Sequence, residues 1–123
     1  MMYAYIDGDD IGLKIENSFM NNDEMRLSKI NNSVKDIVDE ITLRLSQDGY
    51  EIIFGGADGI ICKKEGIDTE KLIKLIRDIS KEITFSLGIG RSLRDSYIAL
   101  RYAKSNGKDI AANYIEERFS LIK

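Results

Sequence analysis

The sequence predicts an α+β protein folded as one domain over residues 1–123. Three observations carry that reading. Short runs of β-branched and aromatic residues alternate with longer stretches in which apolar residues recur every three to four positions, the periods of strands and of amphipathic helices. Two short runs, Tyr50-Glu51-Ile52-Ile53-Phe54 and Gly59-Ile60-Ile61-Cys62, are separated only by Gly55-Gly56-Ala57-Asp58, the shape of an antiparallel hairpin. The chain has no proline, no linker-like stretch and no repeat, and 123 residues is a common domain size.

Met2-Tyr3-Ala4-Tyr5-Ile6 reads as a strand that ends abruptly in the turn sequence Asp7-Gly8-Asp9-Asp10. Beyond it Ile11, Ile15 and Phe19 recur at four-residue spacing as far as Asn21-Asn22, so a short helix is launched from about Asp9. A longer helix is expected from about Asp23 to Ser46, with Leu27, Ile30, Val34, Ile37, Val38, Ile41 and Leu45 on one stripe and Asp48-Gly49 as its stop. After the hairpin, Asp68-Thr69-Glu70 caps a helix that turns Leu72, Ile73, Leu75, Ile76 and Ile79 to the core. Thr84 to Ile89 is the next strand, and Ser92 caps a helix running to Asn106-Gly107. Ile110 to Ile115 fits a last strand or a helical turn equally well. The order β-α-α-β-β-α-β-α is that of a ferredoxin-like split βαβ core, a mixed, mainly antiparallel sheet with its helices on one face.

Composition removes several mechanisms. With 18 Lys and Arg against 21 Asp and Glu, the net charge is −3, which excludes nucleic-acid binding by bulk charge while leaving room for a local basic patch. A 43% hydrophobic and 32% charged chain is neither disordered nor, without a long apolar stretch, a direct membrane protein. No apolar segment of secretion-signal form opens it, so the cytoplasm is the expected location. Histidine is absent and Cys62 is the only cysteine, which excludes an internal disulfide, a Cys/His zinc cluster and a His-activated nucleophile. Cys62 itself, in an apolar run, is expected to be a buried structural thiol. Acid–base or metal chemistry must therefore run on carboxylates, Lys, Tyr or groups of the substrate.

In a ferredoxin-like core the end of the first strand lies beside the tip of the central hairpin, which brings Asp7, Asp9 or Asp10 near Asp58. Oxygen donors without Cys or His suit Mg²⁺ or Mn²⁺. Mg²⁺ usually takes one or two carboxylates and completes its octahedron with water and substrate phosphates, so such a cluster makes chemical sense with a nucleotide. The helix start at Asp9-Asp10-Ile11-Gly12 adds backbone N–H groups and a positive dipole end suited to a triphosphate. A bridging metal removes the repulsion between that anion and the acids. Taken singly, each feature has an ordinary structural role: acids as caps, Gly55-Gly56 as positive-φ turn residues, and Lys104 and Lys108 as solvated partners of helix-end carbonyls. Tyr3, Tyr5, Tyr97 and Tyr102 read as core or rim aromatics.

The joint order of these segments resembles a known superfamily. Phe54-Gly55-Gly56-Ala57-Asp58 resembles the GGDD or GGDEF hairpin of the polymerase–cyclase palm proteins, which include diguanylate cyclases and the CRISPR-associated cyclic oligoadenylate synthases. Thr84-Phe85-Ser86-Leu87-Gly88-Ile89-Gly90 is similar to the strand that follows in them. Ala99-Leu100-Arg101-Tyr102-Ala103-Lys104-Ser105-Asn106-Gly107-Lys108 resembles their ALYxAKxxGK helix. Ile6-Asp7-Gly8-Asp9-Asp10-Ile11-Gly12 is similar to the DGDxxG turn of the CRISPR branch. Four segments in this order over so short a chain resemble the minimal CRISPR polymerase family, a stand-alone palm domain.

That resemblance implies joining of two nucleoside triphosphates through hydroxyl attack on an α-phosphate, release of pyrophosphate and closure of a cyclic nucleotide. The signal would act on a separate effector protein in antiphage defence. By position, Asp7, the Gly8 carbonyl and Asp58 would hold metal, with Asp7 and Asp58 the catalytic carboxylates. Gly8, Asp9, Asp10, Ile11, Gly12, Gly55, Gly56, Lys104 and Lys108 would line the nucleotide, the two lysines neutralising its triphosphate. Ala57 departs from the pattern, since the superfamily usually places a metal-binding acid there. Either this branch uses fewer ligands, or an acid was replaced to trap a substrate, or the protein binds nucleotides without turning them over. Ile15 stands where diguanylate cyclases carry the asparagine that reads guanine, which favours ATP. Cyclisation repeats the transfer in the opposite sense, so a C2 homodimer is expected, with paired subsites in one protomer as the alternative. A nucleotide sensor and a GTP cyclohydrolase on the same palm are the competing functions.

Overall fold

The computed structural model describes all residues from Met1 to Lys123. In chain order the elements are β1 (Met2–Gly8), α1 (Ile11–Met20), α2 (Glu24–Gln47), β2 (Glu51–Gly56), β3 (Gly59–Lys64), α3 (Thr69–Ile79), β4 (Phe85–Gly90), α4 (Leu93–Ser105), β5 (Ala111–Ile115) and β6 (Arg118–Ile122). The helix starts follow local chemistry: the side chains of Asp23, Asp68 and Ser92 accept from the backbone N–H groups of Arg26, Lys71 and Asp95 at 2.9, 3.2 and 3.0 Å.

The strands form one sheet in the order β2-β3-β1-β4-β5-β6. Its first four strands are antiparallel neighbours, the ferredoxin-like core that the element order predicts. β5 then joins β4 in parallel. A parallel pair needs a long crossover, and α4 supplies it.

Two different interfaces hold helices to this sheet. On one face Ala4, Ile6, Ile60, Cys62, Phe85, Leu87 and Ile89 meet Val34, Val38, Ile41 and Leu45 of α2 and Leu72, Ile73 and Ile76 of α3 in the main core. At about 25 cal/mol per Å² of apolar surface buried, this aliphatic layer is the main source of stability. Cys62 is fully buried within it, and burial pushes its thiol pKa up to about 12.

The other face of β4 carries Ser86, Gly88 and Gly90, and α4 lies directly on them. A Cβ on Gly88 would fall 2.2 Å from the Leu100 amide nitrogen and 2.3 Å from the Ser96 carbonyl oxygen. Ala99, Ala103, Ile110 and Ala112 complete this thin second cluster. The expectation that all helices share one face is therefore corrected. Glycines in β4 let the backbone of α4 approach the face opposite α2 and α3.

Residues 111–115 form a strand, and β6 returns beside it as a hairpin the pattern does not announce. Tyr102 of α4 stacks on Phe119, which stacks on Tyr114, with ring centroids 4.0 and 4.5 Å apart. Phe19, expected on the inner stripe of α1, is instead 62% exposed. No helix is long and apolar enough to cross a membrane.

Candidate active site

The site begins where β1 leaves the sheet. Asp7 is the last residue of β1 held on both sides, opposite Gly59 of β3 and Ser86 of β4. The Gly8 amide donates to the Asp58 carbonyl at 2.9 Å, and the Asp9 amide to the Thr84 carbonyl at 2.9 Å. The turn is thus stitched to the hairpin tip on one side and to the entry of β4 on the other. This places Asp7 and Asp58 side by side, as the sequence leads one to expect.

Two acids only two positions apart then meet opposite fates. Asp9 is 3% exposed. Its carboxylate accepts from Lys104 Nζ at 2.7 Å, Ser86 Oγ at 2.7 Å, Thr84 Oγ1 at 2.8 Å and the Asp109 amide at 3.0 Å. Burial pushes its pKa up, but the hydrogen bonds from Lys104, Ser86 and Thr84 more than offset this and leave it below the usual carboxylate range. Asp7 keeps a quarter of its side chain exposed. Burial raises its pKa, the Lys104 charge opposes, and the neighbouring Asp58 charge raises it further, with a net upward shift. Tyr5 shares the patch: burial, then Asp7 and Asp58, push its phenol up.

Asp10 adopts a left-handed backbone, φ 60°, at the head of α1 and makes no side-chain cap bond. Its carboxylate pairs with Lys108. Asp9 shares the Lys104 ammonium with Asp7, Asp10 pairs with Lys108, and no three Asp, Glu, His or Cys side chains gather as a ligand cluster. Of the three acids expected near Asp58, Asp7 is the one that lies beside it. Asp9 is spent on internal donors, and Asp10 is turned away to Lys108.

The two lysines of the α4 end reach back across the sheet. Lys104 Nζ donates to the Gly8 carbonyl at 2.9 Å and lies 3.2 Å from the Asp7 carboxylate. The fit of these donors to a hard cation is visible in this contact, because a carboxylate and a carbonyl oxygen already converge on one positive charge. Asp7, the Gly8 carbonyl and Asp58 would hold Mg²⁺ or Mn²⁺ with water and phosphate completing the shell. Lys108 and Asp109 both sit at positive φ, 64° and 53°, unusual for residues with a Cβ. Asp10 holds the first, and Arg77 holds the second through its carboxylate and carbonyl.

At the hairpin tip, Gly55 and Gly56 belong to β2, and the two-residue loop between paired Gly56 and Gly59 is Ala57-Asp58. Positive φ falls on Ala57, 47°, rather than on the glycines expected to supply it. Primed hairpin turns demand that geometry at their first central position whatever residue stands there. Ala57 and Asp58 also close one end of a groove of about 730 Å³ between α1 and α2. Ile11, Ile15, Leu27, Ile30 and Val34 give it apolar walls, with Ser28 and Asn31 among its polar groups. Gly12 lies at its rim in open space.

Sequence reasoning missed Thr84, Ser86, Asp109 and Arg77, which brace the turn, and the groove residues Ser28 and Asn31. A signal existed for one of them. Ser86 is a polar residue inside a strand that is buried on both faces, and such a group needs a partner.

Several solved structures share this fold. The GGDEF domain of DgcB from Caulobacter crescentus, in complex with c-di-GMP, superposes with a TM-score of 0.66 at 13% identity, covering 91% of this chain and 76% of that one. The active GGEEF domain of a diguanylate cyclase from Vibrio cholerae gives 0.59 at 18% identity, over 92% of this chain and 81% of the other. A diguanylate cyclase/phosphodiesterase from Caldicellulosiruptor saccharolyticus gives 0.60 at 16% identity, over 97% and 78%. No curated protein matches at a significant level. The minimal CRISPR polymerase domain matches residues 3–114, nearly the whole sequence, and the chain belongs to that family.

Proposed function

We propose that this protein is a metal-dependent nucleotidyltransferase that joins nucleoside triphosphates, ATP foremost, into a cyclic di- or oligonucleotide signal. Membership of a polymerase-domain family on a cyclase-like fold supports the reaction class. The observation that carries the reading is the position of Asp58. It flanks Asp7 at the cation-binding end and also lines the apolar groove, so one residue joins a place for metal to a place for a base.

The residues divide the work. The groove takes the base, its aliphatic walls covering the ring faces. The amides at the head of α1, free of any side-chain cap, face the phosphates, and Lys104 and Lys108 supply the positive charge. Asp7 and Asp58, with the Gly8 carbonyl, would hold the divalent ion beside the reacting phosphate. When bound, the divalent ion supplies charge stabilisation at the α-phosphate and a more acidic attacking hydroxyl. Asp9 touches no substrate in this scheme and positions Lys104. A C2 homodimer would bring two such sites together for the second transfer, and the product would act on a separate effector in antiphage defence.

Incubation with Mn²⁺ or Mg²⁺ and each NTP, followed by mass spectrometry of phosphatase-resistant products, tests the proposal. The expected result is a cyclic product, lost in Asp7→Asn. Absence of product from every NTP, in the native chain and in Ala57→Asp alike, would overturn it. Ala57, which cannot bind metal where an acid is usual, favours a second reading as a nucleotide sensor. That reading requires nucleotide-dependent stabilisation without pyrophosphate release.

A further inference from the structure

Lys104 occupies an unexpected place. A lysine assigned to a triphosphate should point into the phosphate site, yet its ammonium is docked on the donors assigned to the metal. It lies 2.9 Å from the Gly8 carbonyl, 3.2 Å from an Asp7 carboxylate oxygen and 2.7 Å from Asp9. These contacts are unequal. The Asp9 side chain is 2% exposed and is held by three further donors, whereas the Asp7 side chain is 26% exposed and its contact is longer. An ammonium has only three protons, and the Asp7 carbonyl at 3.4 Å makes a fourth acceptor, so the hold on the Asp7–Gly8 edge is shared and readily surrendered.

We propose that Lys104 is a built-in counter-ion that competes with the divalent cation for Asp7 and the Gly8 carbonyl, and that an incoming polyphosphate draws it off. The inference rests on the functional reading above and adds a regulation to that site. Two positive charges cannot share the same oxygens without strong repulsion in a partly shielded site. Metal entry therefore requires the ammonium to leave Asp7 and Gly8 while its contact to Asp9 acts as a pivot. A triphosphate offers that ammonium new anionic partners and lowers the cost of its departure. By linkage, nucleotide then raises metal affinity, and metal raises nucleotide affinity by the same factor. Free metal alone binds the site weakly, and substrate and metal arriving together bind it more tightly. A lysine that simply bound phosphate would leave metal affinity unchanged when removed.

Mn²⁺ binding without nucleotide, followed by electron paramagnetic resonance of the free ion, separates the two roles. Lys104→Met keeps the length of the stem and removes the charge. It should bind Mn²⁺ about 10-fold more tightly than the native chain, within the usual range of coupling between sites. Asp7→Asn in the Lys104→Met background should abolish that gain. Unchanged or weaker Mn²⁺ binding by Lys104→Met, or no binding by either chain, would overturn the proposal. Because Lys104→Met also strips a partner from buried Asp9, a measurement on the native chain stands beside it. Amine acetylation of Lys104, read by mass spectrometry against remote Lys74, should accelerate several-fold when Mn²⁺ is added. A rate unchanged or slowed by saturating Mn²⁺ would equally overturn it. None of these readouts uses turnover, so a chain that makes no cyclic product can still show the displacement, and an active enzyme can still fail to show it.

Discussion

The two faces of the sheet are built on opposite principles. Toward α2 and α3 the strands present large aliphatic side chains that fill an 18-residue cluster. Toward α4 they present Gly88, Gly90 and Ser86, and the facing helix answers with Ala99 and Ala103. One face maximises apolar burial, and the other minimises the distance between backbones. The contrast teaches that the aliphatic layer carries most of the stability while the thin layer positions Lys104, with Ile11 and Val34 shared between the core and the groove. Only a helix lying this close to β4 can put Lys104 onto the turn after β1.

Substitutions can break that division of labour. Ile41→Ala, in the aliphatic layer, should cost about 2–5 kcal/mol in urea unfolding while the folded fraction keeps its Mn²⁺ and nucleotide affinity. Lost affinity at unchanged fold would show that the layers are coupled. Asp9→Asn should cost about 1.5–3 kcal/mol at neutral pH, because charge-assisted bonds from Lys104, Ser86 and Thr84 are weakened. Its pH dependence carries a definite sign. The pKa of Asp9 is lowered by folding, so its contribution is present above the unfolded-state pKa and is lost as pH falls through the native one. Asp7, raised by folding, works in the opposite sense: its native form holds the proton better, so stability declines as pH rises from the unfolded to the native pKa. Thermal melting in acid should therefore show a shallower loss of stability in Asp9→Asn than in the native chain. Gly88→Ala should cost about 1–3 kcal/mol by pushing α4 outward. It should also weaken metal and nucleotide binding, the reverse of the Ile41→Ala pattern.

Most of the architecture was legible because it rests on local rules. The stripe Val34, Val38, Ile41 and Leu45 identifies α2, and Asp23, Asp68 and Ser92 mark helix starts with bonds the structure confirms. The β5–β6 hairpin escaped because its turn is Glu116-Glu117, both at positive φ, where Asn-Gly would have been the recognisable signal. Gly88 and Gly90 could be read as strand residues but not as the seat of a helix, since a missing Cβ does not say what approaches it. In the site, Asp7 and Asp58 were legible from topology. The different fate of Asp9 was not, because its donors lie 75 to 100 residues away and only folding selects them.

That long reach has a bearing on biosynthesis. Asp9 leaves the ribosome well before its last donor, the Asp109 amide, which is 100 residues behind it. At about 5–20 residues per second the nascent turn waits roughly 5–20 s with its acids unpaired and hydrated. β1 waits with it, because both neighbours of this central strand come later in the chain. The turn after β1 is thus completed only when the segment around Asp109 has been made, so a chain cut short of that segment leaves Asp9 without its full set of donors.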